Sequence, residues 1–162
     1  MHFDVDEIAE VTLLSADEWE NVVPTVPNIP IETPCEWWTR DAGKEPHDVA
    51  IILKNGDILY SGGYSPGTGG IRPVFMVIPR TSNILKPGTK VTVGAFDGVI
   101  INTVKNPDVD FYEVLCDKIV RSYHFDNETN EFENSDIKAY INSVNFKKGI
   151  QYGVFDDSKG WT

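Results

Sequence analysis

Cysteine is scarce in this chain, which holds only Cys35 and Cys116. Small disulfide scaffolds use more, and two thiols do not make a structural zinc site unaided. Two lone cysteines without a secretory leader are expected to be reduced and buried. The three histidines, His2, His47 and His124, lie far apart and show no HxxxH or HxH spacing. Bases are also few: 14 against 25 acids, a net charge of −11. That surface repels a phosphate backbone and an anionic bilayer, so the expectation is no nucleic-acid partner and no membrane insertion. Apolar runs such as Val74 to Ile78 fall far short of the roughly 20 residues that span a membrane. The opening Met1-His2-Phe3-Asp4-Val5-Asp6-Glu7 lacks the basic and apolar order of a signal peptide, so none is predicted.

What is present suits one globular domain over 1–162, with 41% hydrophobic and 24% charged residues. Val11 to Leu14 reads as a strand. Ser15 with Glu18 forms a capping box for a helix that Pro24 should end. Four prolines between Pro24 and Pro34 predict an extended loop. Asp48–Leu53 and Asp57–Tyr60 flank Asn55-Gly56, the pattern of a hairpin with a type I′ turn. Ser61 to Gly70, with five glycines, reads as a loop, and Pro73 to Ile78 as a strand. Val91–Phe96 and Val99–Val104 suggest a second hairpin around Asp97-Gly98. Tyr112–Leu115 and Ile119–Val120 are shorter strands. Ile137, Tyr140, Ile141 and Val144 follow helical spacing after a cap at Asn134 or Ser135. Trp161 is expected to dock on the body. Strands in hairpins with two short helices and long loops predict an α+β fold with antiparallel sheet. The expected core includes Trp19, Trp38, Ile52, Val74, Phe75, Val93, Ile137 and Ile141.

Trp37-Trp38-Thr39-Arg40-Asp41-Ala42-Gly43, then the hairpin, then Gly69-Gly70-Ile71-Arg72-Pro73-Val74 form a recognisable series. It resembles a domain of unknown function widespread in Firmicutes and their phages. The signature of that family is Trp-Trp-Leu-Arg-Ser-Pro-Gly, a strand around an Asn/Asp-Gly turn, then Gly-Val-Arg-Pro-Ala. Val11 to Glu18 is similar to the family's lead-in, and Glu133 to Asn142 is similar to its Trp-x-Asn-Ser-x-Ile-Arg-x-Trp-Leu-Asn helix. In the family that helix lies upstream. Residues 11–78 therefore resemble its C-terminal half and 90–146 its N-terminal half, in permuted order, closed within one chain or between chains. The resemblance implies a C-type-lectin-like fold, the fold also used by formylglycine-generating enzymes. Within it Trp38, Arg40, Arg72 and Pro73 are expected to be structural. Trp and Arg bring buried area and loop-pinning forks.

Motifs for chemistry are weak. Glu45-Pro46-His47 is one residue from a lectin Glu-Pro-Asn motif and lacks its third carbonyl. Asp126 to Glu131 alternates oxygen side chains without the glycine and closing Glu of a calcium loop. Asn127-Glu128-Thr129 fits a glycosylation sequon, relevant only to a secreted chain. Cys35 with His47 is a nominal nucleophile pair in a Gly- and Pro-flanked segment. The 62–70 glycines lack the Lys and helix of a phosphate loop. No catalytic residue, metal or cofactor is predicted.

The sequence thus predicts a non-enzymatic interaction module. The resemblance points to a phage or phage-derived virion accessory, decoration or receptor-binding protein, found in the virion or in host cytoplasm during assembly. Its partners would be other virion subunits, itself in an oligomer, or a host surface glycan. Loops carry recognition on rigid scaffolds, which singles out Trp37, Tyr60, Tyr64, Ser65 and Thr68. The alternatives are a divergent formylglycine-generating-enzyme-like cysteine enzyme and a calcium-dependent sugar-binding lectin.

Overall fold

Neighbouring residues of a strand point to opposite faces of its sheet, and the central strands of this chain are apolar on both. The computed structural model describes residues 5–79, 85–105 and 110–155. Ten strands run through them: β1 (Val5–Thr12), β2 (Trp37–Ala42), β3 (Asp48–Ile52), β4 (Ile58–Tyr64), β5 (Thr68–Ile71), β6 (Val74–Pro79), β7 (Lys90–Val93), β8 (Phe96–Lys105), β9 (Asp110–Cys116) and β10 (Arg121–His124). The helices are α1 (Ala16–Thr25), α2 (Asp136–Ile141) and α3 (Val144–Tyr152), with a 3₁₀ turn at Phe132–Asn134. The fold is α+β. One sheet is ordered β1-β6-β9-β8-β7 and is antiparallel throughout. The other is β10-β5-β2-β3-β4, antiparallel except where Trp37 of β2 meets Gly70 of β5 in parallel. No described helix is long and apolar enough to cross a membrane.

The two faces of the first sheet build two cores. Val74, Leu115 and Val99 stand in one cross-strand row and pack with Trp19, Trp37 and Ile52. The next row, Phe75, Val114 and Ile100, faces Trp38, Phe125 and Ile141. All eight residues predicted for the core are buried. The segments 11–78 and 90–146 share both sheets: β6 pairs with β9, and β10 pairs with β5.

Several local readings need correction. Pro24 lies inside the last turn of α1, which ends one residue later; Val26 N–H reaches Val22 O at 2.8 Å and closes the helix around the missing proline donor. The Ser15–Glu18 capping box is formed. The hairpin at 48–60 exists, but its turn is not type I′. Only Gly56 has positive φ (93°), and Gly56 N–H bonds Leu53 O while Leu53 N–H bonds Asp57 O. That is a three-residue turn closing on a glycine bulge. The second hairpin turns at Gly94-Ala95, because Val93 pairs with Phe96, and Asp97-Gly98 belongs to β8. Ile119–Val120 precedes the strand β10 rather than forming one. The helix expected over 136–144 is two helices, broken at Asn142-Ser143, where Ser143 caps α3. The described residues thus hold three short α-helices, not two. The segment 61–70 is mostly strand, not loop. Trp161 lies outside the described residues.

Candidate functional site

The Trp-Trp pair sets the geometry. Alternation on β2 sends Trp37 into one core and Trp38 into the other. Trp37 meets Trp19 edge to face at 5.1 Å, and Arg72 lies beside both rings, 5.1 Å from Trp37 and 5.3 Å from Trp19. Arg72 is fully buried; its Nε donates to Cys116 O and its Nη2 to Pro30 O, both at 2.8 Å. Burial lowers its pKa to about 10, still leaving it charged at neutral pH. Arg40 Nη1 donates to Leu13 O at 2.7 Å and pairs with Glu18. Pro73 immediately precedes β6, and its carbonyl accepts Cys116 N–H.

Trp38 lies under a cleft between β4 and β5. Its Nε1 donates to Tyr123 O at 2.9 Å, and its ring meets Phe125 edge to face at 5.6 Å. The strands pass so close over the ring that side chains do not fit. A Cβ on Gly69 would stand 2.6 Å from Trp38 Cε2, and one on Gly63 would stand 2.8 Å from Cζ3. The missing side chains leave a space of about 250 Å³ above the indole, walled by Glu36, Ile51, Tyr64 and Thr68. A second recess of about 500 Å³ lies where β4 faces α1, lined by Trp19, Glu20, Val23, Asp57, Ile58 and Tyr60.

Of the residues singled out for recognition, Trp37, Tyr64 and Thr68 line the first cleft and Tyr60 the second. Trp37 is fully buried and belongs to the core, which corrects its reading as a binding-loop residue. Ser65 is also corrected: it is fully buried, and its backbone holds the turn, bonding His47 O and accepting from Phe125 and Asp126 N–H. Tyr60 and Tyr64 are exposed. Glu20 raises the Tyr60 pKa most, with burial, Asp17 and Asp41 adding.

Sequence reasoning missed Leu59, Glu20 and Glu36. The available signal was the absence of any charged residue between Asp57 and Arg72 in a chain so rich in charge.

The thiols are quiet. Burial pushes Cys116 up to about 11, and burial with the Glu36 charge raises Cys35. His47 lies against Tyr64 at 6.1 Å, and His124 bonds Asp136 at 2.8 Å while stacked on Tyr123. Asp126 does not present oxygens to an ion; they accept the N–H groups of Glu128, Thr129 and Asp136. Among the described residues, no three His, Cys, Asp or Glu side chains gather in a metal-binding arrangement. Compared with protein-family models, curated proteins and solved structures, the chain matches none.

Proposed function

We propose that this chain is a binding module that engages another protein through β4 and the cleft beside it. The observation that supports this reading is the character of β4. Among the described residues it is an edge strand, paired only with β3, and it exposes Leu59, Tyr60 and Tyr64. Proteins normally blunt such an edge with charge, proline, a bulge or a covering element; β4 carries neither a charge nor a proline, and a bulge at Tyr60–Gly62, opposite Ala50, leaves Ile58, Leu59, Gly63 and Tyr64 in register with β3. Tyrosines on a rigid strand make low-entropy contacts. Thiols kept protonated by burial do not favour cysteine chemistry.

The narrower reading rests on the resemblance of Trp37–Gly43 and Gly69–Val74. On that basis we propose a C-type-lectin-like scaffold serving as a virion accessory, decoration or receptor-binding module.

Selection from a random linear peptide library on the purified chain tests the binding reading. Enriched peptides are expected to lose binding on Tyr64→Ser and Tyr60→Ser while melting is unchanged. A library that enriches nothing, or peptides indifferent to both variants, overturns it. Binding on a glycan array in place of peptides would assign the cleft to sugar.

A further inference from the structure

The occupant of the β4 edge can be specified more closely, on the footing that this edge binds at all. An extended segment that adds to an edge strand hydrogen-bonds through its backbone and sends alternate side chains to opposite faces of the sheet. Here both faces have a recess. On the α1 side lie Trp19 and Tyr60 with Glu20 and Asp57; on the other lie Trp38 and Tyr64 with Glu36. Each recess therefore sets one exposed tyrosine beside carboxylate over a buried indole, and the tyrosine with the carboxylate is the pairing that suits a cationic side chain. Asp17 and Asp41 also act on Tyr60. The nearby bases, Lys44 and Lys54, lie in the β2–β3 and β3–β4 connections and line neither recess.

We propose that β4 is a docking edge for an extended basic segment, a strand with Lys or Arg at alternating positions on both of its faces. Charge decides against the other obvious occupant. A second copy of this chain brings a further net charge of −11 and the same carboxylates to the same edge. A basic strand brings opposite charge to both recesses while β4 itself stays neutral along its length.

The test uses the full chain and a fluorescein-labelled eight-residue Val/Lys peptide, Lys-Lys-Val-Val-Lys-Lys-Val-Val, which sets lysine on both faces of an extended strand, followed by anisotropy. Saturable binding is expected, at least about tenfold tighter than for the Val/Glu counterpart and weakening as NaCl is raised from low to physiological strength. Glu20→Gln and Glu36→Gln are each expected to weaken it roughly two- to fivefold, the scale of an exposed ion pair, with melting unchanged. N-methylation of alternate peptide amides should abolish binding, because it removes the ladder donors.

Binding that survives N-methylation, or ignores both glutamate variants, is diffuse attraction to an acidic protein and overturns the proposal. So does a chain that dimerises alone and is made monomeric by Leu59→Lys, since the edge then belongs to its own copy. Library peptides that bind at Tyr60 and Tyr64 without basic residues would sink the basic-strand assignment and leave the binding module standing. No binding by either the library or the Val/Lys peptide would remove both.

Discussion

Asn142 and Val11, 131 residues apart in sequence, hold each other by two hydrogen bonds: Val11 N–H to Asn142 Oδ1 and Asn142 Nδ2 to Val11 O, both at 2.9 Å. The side chain thereby acts as a short extra strand for β1, and it does so from the C-terminal end of α2. Asn142→Ala leaves the buried end of β1 without its partner and is expected to cost about 1–3 kcal/mol. Asn142→Asp keeps the acceptor but sets a charge against Val11 O and Lys138 O, and should also destabilise. Urea midpoints at constant slope measure both; midpoints equal to the parent would show that the clamp contributes nothing.

Arg72 carries the second prediction. Its planar fork reaches two carbonyls on different segments, Cys116 and Pro30, while lying beside two indoles. An ammonium reproduces neither the fork nor the stacking. Arg72→Lys is expected to lower stability by about 2–4 kcal/mol, as loss of charge-assisted buried bonds does. An unchanged melting temperature would mean that Arg72 does not lock these loops.

The glycines over Trp38 give the third. Gly69→Ala places a methyl within 2.6 Å of the indole, and Trp38 cannot retreat without losing its bond to Tyr123 O. The expected cost is about 1–3 kcal/mol, against about 3–5 kcal/mol for Trp38→Ala. Near-ultraviolet circular dichroism should change in both. A Gly69→Ala protein with parental stability and spectrum would show that the strands have room to spare.

That cleft also shows what a sequence does and does not reveal. The Ser15–Glu18 box and the 48–60 hairpin were legible because each is decided within a few residues. The glycines of 62–70 suggest a loop when read locally, since glycine weakens strands. Their strand conformation comes from β3, β2 and β10, and their lack of side chains comes from Trp38; of these only β3 is near in sequence. The pairing of β6 with β9 has no local signature either. Of the candidate site, the exposed tyrosines were legible. The burial of Trp37 and Ser65 depends on tertiary packing that only the assembled sheets supply.

Asp126 sets the fourth prediction, on pH. Burial alone would raise its pKa, but the N–H groups of Glu128, Thr129 and Asp136 outweigh it and hold the carboxyl below its usual 3.8. A depressed folded-state pKa contributes stability that is complete above the unfolded value and is lost as pH falls through the folded one. Asp126→Asn should therefore be less stable than the parent at pH 7, with the gap narrowing below about pH 4. Urea midpoints across pH 2.5–7 check this; a constant gap would locate the effect in packing rather than charge.

Thiol accessibility is the fifth. Cys116 is fully buried with its pKa near 11, so it should resist a disulfide reagent at pH 8 until the chain unfolds, while partly exposed Cys35 reacts slowly. Two equivalents modified in denaturant and at most one in buffer is the expected count. Rapid native modification of both would revive the cysteine-enzyme alternative.

The insertion of β6 between β1 and β9 dictates when this protein can fold. β1 and β6 lie within residues 5–79, yet the open side of β6 waits for β9 at 110–116, and β5 waits for β10 at 121–124. On a ribosome adding about 5–20 residues per second, both interior strands keep one edge unpaired for seconds after they emerge. Pairings of such long sequence separation also close slowly once the chain is free, on the millisecond-to-second scale typical of non-local β topologies. The chain therefore spends its youth with sticky strands in the open, and its strong negative charge is then as much a protection for the nascent form as a property of the finished one.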